Sequence, residues 1–183
     1  MRQLKHHEHK LLKKANFLSW KREGNAREYT IMRRYRLQDR DDYKKYNKLC
    51  MMASKLTSIL KKLDAKDPVR IELTDKLLNK LYSMGVLPTK KSLAQVERLS
   101  VSSFCRRRLA VVMTRLKMSE TLKEAATFIE QGHVRVGPDT VTDPAFLVTR
   151  NMEDFVTWVD TSKIKRKVMK YNDKLDDYDL LMS

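Results

Sequence analysis

The stretch from Thr121 to Asp139 constrains the fold more than any other part of the chain, because three local signals follow one another within it. Thr121 precedes Glu124 by three residues, the spacing at which a hydroxyl and a carboxylate cap the first amides of a helix. Leu122, Ala125, Ala126 and Ile129 then recur at helical spacing, and Gly132 stands where such a helix needs a residue with positive φ. Beyond it the period changes from 3.6 to 2. Val134 and Val136 alternate with His133, Arg135 and Gly137, and Gly137-Pro138-Asp139 reads as a turn.

The small residues Ala125 and Ala126 let this helix lie close against a neighbour, and the preceding segment supplies one. From Arg106 to Met118, Leu109, Val112, Met113 and Leu116 form one apolar face, which predicts a helix with Arg107, Arg108 and Arg115 on its exposed side. Arg108 and Arg115 are seven residues apart, roughly 10 Å along a helix, which suits phosphates on a folded RNA strand. It suits an ordinary solvated face as well. Downstream, Val141, Phe146, Val148, Phe155, Trp158 and Val159 are compatible with strands. Two helices and a small curved antiparallel sheet are therefore expected, a unit that buries little core and needs support.

The upstream chain reads as helical support. Leu4, Leu11, Leu12, Ala15 and Leu18 line one side of a basic helix that turns Lys5, Lys10, Lys13 and Lys14 outward, with Trp20 as an anchor and Glu23-Gly24-Asn25 as its stop. Arg27 to Leu37 predicts a second helix, with Ile31, Met32 and Tyr35 packed and Arg33, Arg34 and Arg36 exposed. The longest helix is expected over Tyr43–Leu63, packed through Tyr46, Leu49, Cys50, Ala53, Leu56, Leu60 and Leu63. Asp64–Pro68 reads as a linker, Leu73–Met84 as a helix ended by Gly85, and Ser92–Leu99 as a short helix capped by Ser92. After the sheet, basic Lys163–Lys170 leads to Asp173, Asp176, Asp177 and Asp179: a solvated end, or an acidic segment that docks on a basic protein. The fold class is thus mostly α with a small α+β module, divided into an arm and helical body (1–105), the module (106–160) and a basic-then-acidic tail (161–183).

Charge narrows the function. The 183 residues carry 39 Lys and Arg against 23 Asp and Glu, a net charge of +16. Residues 1–60 hold 16 basic and 6 acidic side chains, whereas 151–183 hold 6 and 7. Such an excess attracts a polyanion. Nucleic acid is the expected counterpart rather than a membrane, since no 18-residue apolar run or signal peptide is seen. Cys50 and Cys105 lack a metal or redox spacing and read as buried thiols in a reducing compartment. His6, His7 and His9 surround Glu8, but His7 points away from the other two on a helix, so no metal is expected. No phosphate loop, Walker lysine or Ser/His/Asp spacing is present, and neither an enzyme nor a cofactor is expected.

The residues Arg108-Leu109, Val112, Arg115-Leu116, Thr121, Glu124-Ala125, Phe128-Ile129, Gly132-His133-Val134, Val136, Val141 and Pro144 resemble the alpha-L RNA-binding motif shared by the primary-binding protein of the small ribosomal subunit, pseudouridine synthases and bacterial tyrosyl-tRNA synthetases. Over most of the chain, FCRRRL from Phe104, EQGHVRVGPDTVTDPAFLVTR from Glu130, EDFVTWVD from Glu153, RRYRLQDRDDY from Arg33 and LKHHEHKLLKK from Leu4 resemble the U3 small nucleolar ribonucleoprotein protein family of the small-subunit processome. Leu122 and Ala126 stand where the motif usually carries arginines, and Lys117 where it carries a glycine. The resemblance thus shifts expected RNA contact to Arg106, Arg107, Arg108, Arg115, Lys117, His133 and Arg135, with Arg33, Arg34, Arg36, Lys10, Lys13 and Lys14 from the body and arm. It implies a nucleolar assembly factor that binds U3 small nucleolar RNA and precursor ribosomal RNA, promotes their pairing, and meets the processome scaffold protein. A structural protein of the mature small subunit satisfies the same chemistry.

Overall fold

The computed structural model describes residues 2–14 and 20–174, with side chains described to residue 14 and again from residue 26. The described chain runs α1 (His6–Lys14), α2 (Trp20–Tyr35), α3 (Arg40–Lys62), α4 (Pro68–Ser83), α5 (Leu93–Glu97), α6 (Val101–Cys105), α7 (Leu109–Arg115), α8 (Leu122–Glu130), β1 (Val134–Val136), β2 (Asp139–Thr140), β3 (Val156–Trp158) and α9 (Lys163–Tyr171). The three strands form one antiparallel sheet in the order β2-β1-β3, with Val134 opposite Trp158 and Val136 opposite Val156.

The Thr121–Gly132 signals act as their chemistry dictates. Thr121 and Glu124 make a reciprocal capping box at the start of α8. At its end Gly132 takes φ +72°, so that its amide reaches Ile129 O and the His133 amide reaches Phe128 O. Ala125 and Ile129 of α8 bury against Leu109, Val112 and Met113 of α7, with Val134, Val136, Val148 and Val156 completing this core. A second cluster joins Tyr35, Leu37, Tyr46, Cys50, Val101, Phe104 and Cys105, and a third joins Leu78, Leu81, Leu87 and Val96. Burial pushes the Cys105 thiol up to about 11, which makes it inert at neutral pH.

Several expectations require correction. The segment Arg106–Met118 is not one helix: α6 stops at Cys105, and Arg108, extended at φ −65° and ψ 142°, bridges to Leu147 before α7 begins at Leu109. The Leu109 amide donates to Phe146 O and the Val148 amide to Arg107 O, each over 2.8 Å. Phe146 and Val148 therefore edge this crossing instead of extending the sheet. Glu23-Gly24-Asn25 lies inside α2 and stops nothing. Pro68 starts α4 at its first position behind the cap Asp67, whose carboxylate accepts from the Val69 amide. Leu49 on α3 and Leu63 at its end are exposed rather than packed, and Thr57 is buried with its hydroxyl donating to Ala53 O. Lys163–Tyr171 forms a helix, capped by Ser162. Ala15, Leu18, the Trp20 side chain and Asp176, Asp177 and Asp179 lie outside the described residues.

Candidate nucleic-acid interface

The three consecutive arginines fall in the crossing between α6 and α7, where the backbone passes from a turn at Arg106 to an extended Arg108 and each side chain goes to a different place. Arg106 is exposed, and its Nε lies 3.4 Å from the Tyr35 hydroxyl. Arg107 is only 5% exposed: its guanidinium donates to Val148 O at 2.9 Å, Thr149 O at 3.1 Å and the Glu153 carboxylate at 2.9 Å. Arg108 is 4% exposed and donates to Asp42 at 2.9 Å and to the Tyr46 hydroxyl at 3.3 Å. Burial opposes the charge on Arg108, but hydrogen bonds and charge from Asp42 and Tyr46 outweigh it and raise the guanidinium above its ordinary value. The expectation that Arg107 and Arg108 share an exposed helix face with Arg115 is thus overturned, because both are consumed by internal partners. Arg107 ties the crossing to the loop before β3, and Arg108 ties it to α3.

Arg115 ends α7 and remains exposed, hydrogen-bonded to Glu153. Burial, with the neighbouring charges of Arg107 and Arg150, holds its guanidinium below its ordinary value. These residues, Arg106 and Gly85 line an open cavity of about 490 Å³. Arg150 also lines the cavity, donating to Tyr82 O at 3.3 Å and Leu87 O at 2.7 Å while its guanidinium lies 4.1 Å from the Tyr82 ring centre. Arg150 and Glu153 were not among the residues singled out from sequence. Their signal is present in the Arg150–Glu153 spacing beside a strand, but only the crossing of α6 and α7 brings it to Arg107 and Arg115.

The cationic surface continues into the body. Arg33, Arg34 and Arg36 are exposed at the end of α2, and Tyr35 between them buries its ring while its hydroxyl meets Arg106. Arg34 lies 5.7 Å from the centre of that ring. The end of α2 also meets α8, through Gln38 donating to Glu130 at 3.1 Å. Lys117 is exposed at φ +59°, the left-handed position after α7, beside Glu120 and Glu124.

His133 and Arg135 belong to a separate group. His133 Nδ1 lies 3.1 Å from the Ser162 hydroxyl, and Arg135 donates to Asp160 at 2.6 Å and Thr157 at 3.1 Å. Lys165 binds the same carboxylate. These contacts seat the cationic helix α9, whose Lys163, Arg166, Lys167 and Lys170 are exposed. Lys10, Lys13 and Lys14 are exposed on α1, which buries none of its residues. No group of three metal-ligating side chains is placed to hold an ion among the described residues.

A helical body that carries a capped helix pair and a small antiparallel sheet, studded with guanidinium groups, defines an S4-type RNA-binding protein. The family models agree: "Ribosomal protein S4/S9 N-terminal domain" matches residues 3–106 and "S4 domain" matches residues 107–154. The chain is 53% identical to the U3 small nucleolar ribonucleoprotein protein IMP3 of Saccharomyces cerevisiae and 54% identical to that of Mus musculus, with 98% of each chain covered in both comparisons. It is 28% identical to the small ribosomal subunit protein uS4 of Picrophilus torridus over 78% of this chain and 79% of that one. The chain belongs to the IMP3 family of U3 small nucleolar ribonucleoprotein proteins.

Proposed function

We propose that this chain is a non-catalytic RNA-binding assembly factor of the U3 small nucleolar ribonucleoprotein, acting in early processing of the 18S rRNA precursor. In this reading it binds U3 RNA and promotes or stabilises pairing with precursor rRNA in the nucleolus. The observation that carries it is the arginine-lined cavity of Arg106 and Arg115, tied through the Arg106–Tyr35 contact to the segment that exposes Arg33, Arg34 and Arg36, on a chain of this family. Phosphate and sugar contacts on such a surface give salt-dependent, modestly sequence-specific binding. The footprint centres on Arg106 and Arg115, with Arg33, Arg34, Arg36 and Lys117 around it; Arg107 and Arg108 position the crossing beneath. Lys10, Lys13 and Lys14 on α1, and His133 and Arg135 beside α9, are outlying members.

The exposed Leu11 and Leu12 on α1 and the exposed Phe155 support a protein-binding role for these surfaces, and the partner proposed is the processome scaffold protein. A structural role in the mature subunit is favoured by the similarity to uS4. Tagged chain purified from nuclear extract, with sequencing of the bound RNA, decides between them. Enrichment of U3 RNA and precursor rRNA supports the assembly factor; recovery with finished small subunits alone overturns it.

A further inference from the structure

The cavity between the C-terminal turn of α4 and the crossing of α6 and α7 holds four guanidinium groups, from Arg106, Arg107, Arg115 and Arg150, against one carboxylate, from Glu153. We propose that this pocket binds one phosphodiester of an RNA strand, with Glu153 as an internal counter-ion from which Arg115 turns when the phosphate enters. The proposal rests on the RNA-binding reading above and names the chemical group that one part of the surface receives.

The four arginines divide into two kinds. Arg107 and Arg150 are immobilised by backbone carbonyls, Arg107 by those of Val148 and Thr149 and Arg150 by those of Tyr82 and Leu87. Gly85 presses on Arg107 so closely that a Cβ there would stand 2.7 Å from Arg107 Cζ. These two charges are fixed at the pocket wall before any ligand arrives, so binding requires no reorganisation of them. Arg115 and Arg106 are exposed, and among the described residues their side chains bond to Glu153 and, at 3.4 Å, to Tyr35. They are able to turn. Glu153, shared by Arg107 and Arg115, is the one carboxylate among the described residues lining the cavity, which leaves an excess of three positive charges there. A phosphodiester offers two acceptor oxygens that match the guanidinium fork, and the cavity is open to solvent.

The test uses the full chain and a short single-stranded oligoribonucleotide, read by fluorescence anisotropy over a KCl series, with inorganic phosphate as competitor. Arg115→Gln is expected to weaken binding at least about threefold and reduce the salt slope by about 1. Glu153→Gln is expected to do the opposite, tightening binding and steepening the slope. Weaker or unchanged binding by folded Glu153→Gln overturns the counter-ion role and with it the proposal. If Glu153→Gln fails to fold, Arg106→Gln combined with Arg115→Gln carries the test, and unchanged affinity overturns the pocket. Inorganic phosphate should displace the RNA from the native chain more readily than from Arg115→Gln; binding of phosphate without any displacement indicates a free-anion site and also overturns it. Absence of salt-dependent RNA binding by the native chain sinks the RNA-binding reading itself, whereas native binding matched by every variant sinks only the pocket.

Discussion

At the scale of single residues, left-handed backbone positions separate stability from binding. Lys117 occupies φ +59° at the end of α7, where its amide reaches Thr114 O and the Met118 amide reaches Met113 O, the bonding that Gly132 makes after α8. Lys117→Gly is therefore expected to stabilise the chain by roughly 1 kcal/mol, measured by denaturant unfolding, while removing one cation from the surface. Gly85 also has positive φ, but there the side chain of Arg107 fills the space a Cβ needs. Gly85→Ala is expected to cost roughly 1 to 3 kcal/mol by the same measurement, since Arg107 is pinned and has nowhere to retreat. The sequence made these two glycine stops visible, along with the capping box, because each depends on residues within one turn of it. It could not make Arg107 and Arg108 visible as buried groups. Their partners are Asp42, 66 positions upstream, and Glu153, 46 positions downstream, and in isolation three adjacent arginines carry the composition of a solvated face.

At the scale of elements, α9 shows how a charged tail becomes ordered structure. The Ser162 hydroxyl accepts from the Ile164 amide and lies 3.1 Å from His133, and Asp160 joins Lys165 of α9 to Arg135 of β1. Ser162→Ala is expected to cost about 1 kcal/mol of local helix stability, seen as faster amide exchange over 163–171 with the α7 and α8 amides unchanged. The hydrogen bond from Lys165, then the charge of Arg135, hold the Asp160 carboxyl below its ordinary 3.8. A depressed folded value means that this contribution is fully present above the ordinary carboxylate value and is lost as pH falls through the folded one. Exchange over 163–171 should thus accelerate as pH drops below about 4, after correction for intrinsic rates, and Asp160→Asn should abolish that extra acceleration. The basic run was legible here, but neither the helix nor its seat was: the seat depends on His133 and Arg135, which the sequence reading assigns to RNA.

At the scale of the whole molecule, the placement of the cations discriminates between two ways of handling RNA. Annealing of two strands calls for separated cationic regions, one to hold each strand, whereas a single continuous surface clamps one folded RNA. The end of α2 does not form a distant region, since Tyr35 meets Arg106 and Gln38 meets Glu130. Among the described residues, two outlying cationic helices remain as candidates for the second region: α1, with Lys10, Lys13 and Lys14 exposed, and α9, with Lys163, Arg166, Lys167 and Lys170 exposed. The two roles are separable by truncation at residue 14, whereas removal of residues 1–40 would take Tyr35 and Leu37 out of the core and confound binding with folding. In stopped-flow mixing of short U3 and precursor-rRNA fragments, the native chain is expected to accelerate pairing, more strongly at low salt because attraction to phosphate drives the encounter. Deletion of residues 1–14 should remove most of that acceleration while leaving binding of a single fragment within about tenfold of native, given that the surface around Arg106 and Arg115 is intact. An unaccelerated native reaction would identify a static clamp. Acceleration that survives the deletion would exclude α1 as the second region and leave α9 or the surface joining α2 to the arginine crossing.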